Sequence, residues 1–435
     1  MAGAAGCRSV PAVGAREDLE AVGTMQAHSD GGLAALRVLL RTTHLSGPDD
    51  LPALVGAAGT ALGAERAVLY VVDYDQVLLV PLLAPGSDDV QPVPVEGTLA
   101  GRAFSDIVQH TSHAGGGQTL WTPVLDGTER LGVLQLELAA DVQIDDELQA
   151  VCGDVAALVA EMVMTKAMYG DAVERARRRI PMTLPAELQW RLLPPLTFVS
   201  PRAAVAGILA PTAEVAGDSF DYALNGDVLH VALVDAMGHG LESTLLSAVA
   251  VSALRNARRR GLALPDTVRS VDTALSDQFG PDRFVTGVVG ELDVATGWWR
   301  WATCGHPPAL LVRAGRVVKQ LDGVVGVPLG LGLLTDVEIG AERLEPGDRL
   351  LLYTDGVPEA RDAAGEFFGT ERLAELVIRQ DAARRPAAET LRRLNQAILA
   401  HQEGTLQDDA TTVLVEWLTD EPDRSTPADA EPPPS

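Results

Sequence analysis

Residues 229–240 read LHVALVDAMGHG, an apolar, strand-like run that ends at Asp235 and passes into a glycine-rich turn. Aspartates also stand at the ends of apolar runs in AEVAGDSFDY (Asp218), RLLLYTDGVPEA (Asp355) and QDDATTVLVEW (Asp408). Short apolar runs bounded by turn residues favour β-strands. Carboxylates gathered from separate strand ends supply the oxygen ligands that Mg²⁺ and Mn²⁺ prefer. The pattern therefore predicts a divalent-cation site, and a pair of such ions suits the hydrolysis of phosphate esters.

Composition sets the broad class of the protein. The chain has 435 residues, of which 47% are hydrophobic, so two or three domains with folded cores are expected. Its formal net charge is −26. A negative surface repels a phosphate backbone, which disfavours nucleic-acid binding.

The cysteines and the N-terminus indicate the compartment. Cys7, Cys152 and Cys304 are far apart and form no CxxC pair, so neither a disulfide framework nor a zinc site is predicted. We find no signal peptide and no apolar run of membrane-spanning length. A cytoplasmic protein that does not bind a membrane is the expectation.

The first third of the chain predicts a sensor-like domain over residues 31–165, after a disordered segment over residues 1–30. Helical spacing is followed by two hairpins, with turns at residues 73–76 and at Asp126-Gly127. A long helix, IDDELQAVCGDVAALVAEMVM, closes this segment. The order resembles a GAF sensor domain, particularly in TPVLDGTERLGVLQLELA. The resemblance implies either a small-molecule pocket over the sheet or an unliganded dimerisation module.

Residues 166–195 predict a helical linker. Breaks are expected near Gly170, Pro181 and Pro185, because proline removes a helical hydrogen-bond donor. A second short helix is expected from Ala186, ending before Pro194. The segment is either a plain connection or a signalling helix that couples the sensor to the following domain.

Six motifs occur in order in the rest of the chain: AELQWRLLPP, PTAEVAGDSFDY, VDAMGHG, TCGHPPALL, LLLYTDGVPEARDAAGEFFGTERL and DDATTVLV. Together they resemble the metal-dependent type 2C serine/threonine protein phosphatases, in the bacterial branch of sporulation stage II and sigma-factor-regulating phosphatases. The resemblance implies an α/β (α+β) fold in which two antiparallel sheets are flanked by helices. We place this α-β-β-α sandwich at residues 196–418, followed by a disordered tail over residues 419–435.

The resemblance also implies roles for particular residues. Asp218, Asp355 and Asp408 would be metal ligands, Asp235 would bridge both ions, and the main-chain carbonyl of Ala236 would be a further ligand. These four aspartates would be catalytic. Two Mn²⁺ or Mg²⁺ ions would activate a bridging water to attack phosphorus directly, without a phosphoenzyme.

Neighbouring residues leave alternatives open. Asp409 adjoins Asp408, and only one of the two should face the ions, because successive strand residues point to opposite faces; we favour Asp408. Asp221 either orients a metal-bound water or caps a turn. Glu214 is expected to support the ligands, whereas His239 and His306 are expected to be structural rather than acid catalysts.

Some positions depart from the branch pattern without removing a carboxylate. Ser219, Ala216 and Met237 replace residues that are commonly Tyr, Gly and Ser, and Thr303-Cys304 stands where Asn-Ala is frequent. These departures concern substrate preference and rate. The implied partner is a phosphoprotein, such as an anti-sigma-factor antagonist. The alternative is a catalytically silent scaffold, which would have no need of carboxylates that repel one another.

The closing helix of the sensor-like domain carries an apolar stripe that includes Leu148, Val155, Leu158 and Met162. The stripe either packs against a second copy of the chain or covers the sheet of its own domain. The first alternative predicts a homodimer.

Overall fold

The computed structural model describes residues 29–84, 86, 90–114, 116–179, 181–210, 217–322, 326–383, 385–403 and 409–418. Glu214, Asp408, residues 1–28 and residues 419–435 lie outside these ranges. Disorder was expected over residues 1–30, but residues 29 and 30 are helical. The chain divides into two compact units, one formed by Met1–Asp126 and Arg130–Arg179 and the other by Gly127–Glu129 and Ile180–Ser435.

The first unit is a six-stranded antiparallel sheet flanked by helices. Its strand order is β3-β2-β1-β6-β5-β4. The strands are β1 (Arg66–Val72), β2 (Leu78–Pro81), β3 (Val93–Pro94), β4 (His110–Ala114), β5 (Gly117–Asp126) and β6 (Glu129–Ala139). The described helices are α1 (29–42), α2 (Leu51–Ala61), α3 (Leu99–Asp106), α4 (Asp146–Ala167) and α5 (Ala172–Arg177), with a 3₁₀ turn at Pro48–Asp50. Both hairpins predicted from the sequence are present.

The apolar stripe of α4 packs inside its own unit. Leu148, Val155 and Met162 are buried in the cluster formed with α2 and the sheet, and Leu158 is partly buried against the same cluster. Covering its own sheet is therefore the alternative that the structure shows for this stripe. The stripe is buried without any contact between two copies of the chain, which was the contact on which the predicted homodimer depended.

By length and composition, α4 could also cross a membrane, which differs from our expectation that no run is that long. Among the described residues it is the one helix that passes this test. The reason is its many alanine and valine residues, which are apolar on every side of the helix. A core helix passes the same test, and the cluster described above buries one side of α4.

The second unit contains two antiparallel sheets. One has the order β15-β12-β11-β10-β9, and the other has the order β14-β13-β16-β17-β8-β7. The strands are β7 (Thr197–Val199), β8 (Ala203–Ala210), β9 (Asp218–Asn225), β10 (Val228–Ala236), β11 (Val285–Asp293), β12 (Trp298–Cys304), β13 (Leu310–Arg313), β14 (Arg316–Gln320), β15 (Gly340–Arg343), β16 (Arg349–Tyr353) and β17 (Ala410–Trp417). The described helices are α6 (Leu184–Leu192), α7 (Leu241–Arg259), α8 (Leu264–Phe279), α9 (Thr370–Ala382) and α10 (Ala387–His401).

Three apolar clusters define the layers of this unit. Phe220, Trp299 and Leu350 belong to the cluster between the sheets, which draws residues from both. A second cluster packs α7 and α8 on the five-stranded sheet, and a third packs α9 and α10 on the six-stranded sheet. The layers run α-β-β-α, which confirms the predicted fold class.

The linker segment is helical in three pieces. Helix α4 ends at Ala167, α5 covers Ala172–Arg177, and α6 begins at Leu184. Pro185 does not interrupt α6, because it occupies the first turn, where a helix needs no donor from that position. The oxygen Oγ1 of Thr183 caps α6 by accepting from the nitrogen of Ala186. Helix α6 belongs to the second unit, although the sequence placed it in the linker.

Candidate active site

Asp218 and Asp235 face each other across neighbouring strands. Asp218 is the first residue of β9, and it pairs in register with Asp235 near the end of β10. Side chains directly opposite in an antiparallel pair lie close together, and like charges there destabilise the sheet. Asp218 is buried, whereas Asp235 is half-buried. A pair of carboxylates held in this way favours a cation between or beside them.

Gly217 allows a close approach between its own backbone and that of Ala236, next to this pair. Its nitrogen donates to Oδ2 of Asp409 over 2.9 Å, and its carbonyl accepts from the nitrogen of Ala236 over 3.2 Å. A Cβ atom at position 217 would meet the carbonyl oxygen of Ala236 at 2.7 Å, so only glycine fits. The carbonyl that we expect to act as a ligand therefore lies beside the aspartate pair.

Asp409 joins the same cluster. It directly precedes β17 and is buried, and its Oδ2 accepts from the main-chain nitrogen of Asp218 over 3.4 Å as well as from that of Gly217. The sequence favoured Asp408 as the residue that faces the ions. Asp408 lies outside the described residues, so the choice of ligand between the two stays a prediction.

The electrostatics of this cluster are unfavourable for a metal-free carboxylate. Burial raises the pKa of the Asp218 carboxyl well above its ordinary value, and the negative charges of Asp235 and Asp409 raise it further. A hydrogen bond from Thr354 acts in the opposite direction. The charge of a bound divalent cation would relieve the repulsion.

Asp355 lies next to this cluster in the chain. The preceding residue, Thr354, donates from Oγ1 to Oδ2 of Asp218 over 2.7 Å, and the nitrogen of Thr411 donates to the same Oγ1 over 3.1 Å. Asp355 itself is exposed. The structure therefore brings Asp218, Asp235 and Asp409 together. It places Asp355 one residue after Thr354, which donates the hydrogen bond to Asp218.

Asp221 is paired with two arginines of α7. It is buried. Its Oδ1 accepts from Nε of Arg255 over 2.8 Å, and its Oδ2 accepts from Nη1 of Arg258 over 2.6 Å. Residues three apart on a strand point to opposite faces, so Asp221 faces α7 when Asp218 faces the other way. It ties α7 to the sheet.

The two histidines differ in environment. His239 is exposed in the turn after β10. His306 is buried, with Nδ1 at 2.9 Å from Oγ1 of Thr286 and Nε2 at 3.1 Å from the carbonyl oxygen of Tyr353. That carbonyl can only accept, which assigns the proton to Nε2. Burial lowers the pKa of His306 to about 4, so the ring is neutral near pH 7.

Cys304 is not suited to nucleophilic catalysis. It is buried at the end of β12, and burial raises the pKa of its thiol to about 12. The thiolate is the reactive form, so this residue is inert near neutral pH.

The sequence missed two residues of the site, Thr354 and Gln189. Gln189 lies on α6, and its Nε2 donates to the carbonyl oxygen of Asp218 over 2.8 Å and to Oδ2 of Asp409 over 3.0 Å. Both residues stand inside motifs quoted above, but a neutral polar side chain in an amphipathic helix or at a strand end carries no sequence signal of its contact.

The donors suit Mg²⁺ or Mn²⁺ in kind, because carboxylate and carbonyl oxygens are hard ligands. Within the described ranges, however, no three acidic, histidine or cysteine side chains stand close enough to form a metal cage by themselves. Asp408 and Glu214 are outside those ranges. The described residues thus provide part of the expected ligand set.

The second unit is thus a layered α-β-β-α sandwich with aspartates at the ends of its central strands. Residues 225–418 match the family model described as Stage II sporulation protein E (SpoIIE). The matched residues lie within the second unit.

Similar proteins match about half of this chain. Protein IcfG of Synechocystis sp. is 23% identical over 265 residues, which cover 54% of this chain and 39% of that protein. Phosphoserine phosphatase RsbU of Bacillus subtilis is 21% identical over 217 residues, covering 48% of this chain and 62% of RsbU. The solved RsbU and RsbW domains of Rv1364c from Mycobacterium tuberculosis are 29% identical, cover 52% of this chain and 63% of that chain, and give a TM-score of 0.45. The chain thus spans from two fifths to three fifths of the length of these curated relatives.

Proposed function

We propose that the protein is a metal-dependent serine/threonine protein phosphatase. The observation that carries the proposal is the pairing of Asp218 with Asp235 across β9 and β10, with Asp409 in the same cluster. Asp235 and Asp409 lie within the residues that match the SpoIIE family model. RsbU, which is similar to this chain, is named a phosphoserine phosphatase. The reaction is hydrolysis of phosphoserine or phosphothreonine.

The cofactor of this proposal is a pair of Mn²⁺ or Mg²⁺ ions held by Asp218, Asp235, Asp355, Asp408 and the carbonyl of Ala236. Such ions supply an activated water and neutralise charge on the phosphoryl oxygens. The chain contributes the geometry. Thr354 orients the carboxylate of Asp218, and Gly217 keeps the carbonyl of Ala236 close to it.

The substrate of this proposal is a phosphorylated regulatory protein, an anti-sigma-factor antagonist in particular. The test uses the full chain with peptides that carry phosphoserine, phosphothreonine or phosphotyrosine, in Mn²⁺ and in excess chelator. Release of phosphate from the first two peptides in Mn²⁺ alone is expected. Equal release in chelator, or from phosphotyrosine only, would reject the proposed reaction.

The first unit is proposed to be a GAF-like sensor that regulates the phosphatase through a small-molecule ligand. Its six-stranded antiparallel sheet, with helices at its flanks, supports this proposal. Two contacts hold the last residues of the unit to the β1–β2 turn. Nη1 of Arg179 lies 3.4 Å from Oδ2 of Asp75, and the hydroxyl of Tyr74 donates to Glu174. A change at this turn would therefore reach the chain that leads into α6.

This regulation has its own test. Arg179→Gln removes the charge that pairs with Asp75, so we expect the basal phosphatase rate of the full chain to shift towards the rate of a fragment of residues 181–418, which lacks this contact. An unchanged rate in the full chain would remove the β1–β2 turn from the proposal.

The proposed homodimer is tested by sedimentation equilibrium at micromolar concentration, where a monomer would contradict it.

A further inference from the structure

A row of three side chains crosses the five-stranded sheet at the candidate active site. Asp218 on β9 pairs in register with Asp235 on β10, and Asp235 pairs in register with Thr286 on β11. Side chains that lie directly opposite in antiparallel strands share one face of the sheet. Leu233, two residues before Asp235, belongs to the cluster between the sheets, so the row faces the six-stranded sheet.

Both ends of this row are held to the end of β16. At one end, Oγ1 of Thr354 donates to Oδ2 of Asp218 over 2.7 Å. At the other end, Nδ1 of His306 lies 2.9 Å from Oγ1 of Thr286, and Nε2 of the same ring lies 3.1 Å from the carbonyl oxygen of Tyr353. The row is therefore held to two consecutive residues of the six-stranded sheet.

One form of the His306 ring satisfies both of its contacts. The carbonyl of Tyr353 can only accept, so Nε2 carries the proton, and Nδ1 of the neutral ring then accepts from the hydroxyl of Thr286. His306 is 7% exposed. A buried group that loses its partner carries the full cost of its desolvation, so both contacts are expensive to break.

The backbone that presents His306 is itself held in place. Gly305 has φ of 68°, and its nitrogen donates to the carbonyl oxygen of Gly326 over 2.8 Å. A Cβ atom at position 305 would meet the side chain of Pro328 at 2.7 Å, so glycine is required there. The nitrogen of Gly326 donates in turn to the carbonyl oxygen of Thr303 over 2.8 Å. The ring therefore projects from a fixed turn.

We propose that His306 is a positioning residue that sets the backbone before Asp355 at a fixed distance from Asp235. The inference rests on the proposed phosphatase function, in which both aspartates are ligands, and it adds a residue to that site. With the ring in place, Thr286 beside Asp235 is joined to Tyr353, two residues before Asp355. Without this connection the two ligands, which come from different sheets, hold a divalent cation less tightly.

The test compares His306→Asn with His306→Gln in the full chain. The amide of glutamine reaches the place of Nε2 and can donate to the carbonyl of Tyr353, whereas the shorter asparagine reaches only the place of Nδ1, beside Thr286. Mn²⁺ binding is measured by titration calorimetry and by the rise in Tm that Mn²⁺ produces. Residues that orient metal ligands typically contribute about tenfold or more to metal affinity. Binding to His306→Asn should therefore weaken by about tenfold or more, and binding to His306→Gln should stay near the parent.

Trp417→Phe is the matched control for a general loss of stability. Nε1 of Trp417 donates to the carbonyl oxygen of Val294 over 2.9 Å, at the ends of β17 and β11 that lie away from the site. The variant loses a hydrogen bond of the same unit, so its Tm should fall while its Mn²⁺ binding matches the parent. Binding as weak as that of His306→Asn would overturn the inference, because lost stability alone would then explain both results.

Thr286→Val covers the case in which His306→Asn does not fold. Valine lacks the hydroxyl that holds Nδ1, so Mn²⁺ binding should weaken, and Thr286→Ser, which keeps the hydroxyl, should restore it. Equal Mn²⁺ binding by these two variants would overturn the inference.

Turnover separates this inference from the proposed function. At saturating Mn²⁺, His306→Asn should regain most of the parent kcat, because it removes no group that touches the substrate. A folded His306→Asn that binds Mn²⁺ like the parent, or a His306→Gln that binds it as weakly as His306→Asn, would overturn the inference. A parent chain that binds Mn²⁺ but releases no phosphate would instead reject the proposed function, while the binding comparison would still decide the role of His306.

Discussion

The hydroxyl of Thr354 donates to Oδ2 of Asp218 over 2.7 Å and joins the end of β16 to the start of β9. The two residues belong to different sheets of the sandwich, since β9 lies in the five-stranded sheet and β16 in the six-stranded one. This hydrogen bond therefore fixes a carboxylate of the site relative to both sheets, and it sets Asp355, the next residue, beside the cluster.

Replacing Thr354 by valine tests this connection. The change keeps the shape of the side chain but removes the donor, so the buried carboxylate of Asp218 loses one of its hydrogen bonds. We expect the free energy of unfolding to fall by about 1 to 3 kcal/mol and Mn²⁺ binding to weaken. Chemical denaturation and titration calorimetry measure the two effects. Thr354→Ser keeps the hydroxyl and should stay near the parent; equal loss in both variants would contradict the role of the hydrogen bond.

His306 makes stability depend on pH. Its pKa is about 4 in the folded chain, and its ordinary value is 6.5. Between these values the unfolded chain binds a proton that the folded chain does not, so stability is complete above pH 6.5 and falls as pH drops towards 4. This residue should remove about 2 kcal/mol of stability between pH 7 and pH 5.

The measurement is urea denaturation of the parent and of His306→Gln at pH 7 and pH 5, both without metal. The parent should lose more stability on acidification than the variant, which has no imidazole to protonate. The difference between the two losses isolates His306 from other titrating groups. Identical losses would show that His306 is not held neutral in the folded chain.

The stripe on α4 predicts a stability effect rather than a change of oligomeric state. Leu158 packs against the core of the first unit, so Leu158→Glu brings a charge to a partly buried site. We expect a loss of about 2 kcal/mol or more, seen in calorimetry as a lower Tm for that unit. Ala157→Glu, on the exposed side of the same helix, should leave the Tm unchanged. Equal effects would contradict the packing described for α4.

The second unit should fold alone when α6 is included. A fragment of residues 181–418 retains Trp190 and Leu193, which pack on the core between the sheets, whereas a fragment that starts at residue 196 lacks them. We expect the longer fragment to unfold cooperatively and to bind Mn²⁺, and the shorter one to be less stable. Equal stability of the two fragments would show that α6 contributes little to the unit.

The sequence predicted those features of the fold that have a local sequence signal. Hairpins at residues 73–76 and at Asp126-Gly127 were predictable because alternating strands and a turn residue are local signals. A shared cation site for Asp218 and Asp235 was predicted from their positions at strand ends and from the family resemblance, but their pairing in register was not. The two arginine partners of Asp221 and the buried position of Gln189 could not be predicted, because an amphipathic pattern shows that a helix has a buried face but not what covers it.

The most direct test of the central claim is hydrolysis of an aryl phosphate by the full chain with and without Mn²⁺, beside Asp235→Asn. The substitution keeps the size of the side chain and removes the charge opposite Asp218, so the variant should be folded and nearly inactive. We expect Mn²⁺-dependent turnover by the parent that chelator abolishes. Turnover by Asp235→Asn at the parent rate, or a parent indifferent to Mn²⁺, would contradict the proposal that this aspartate pair belongs to a catalytic metal site.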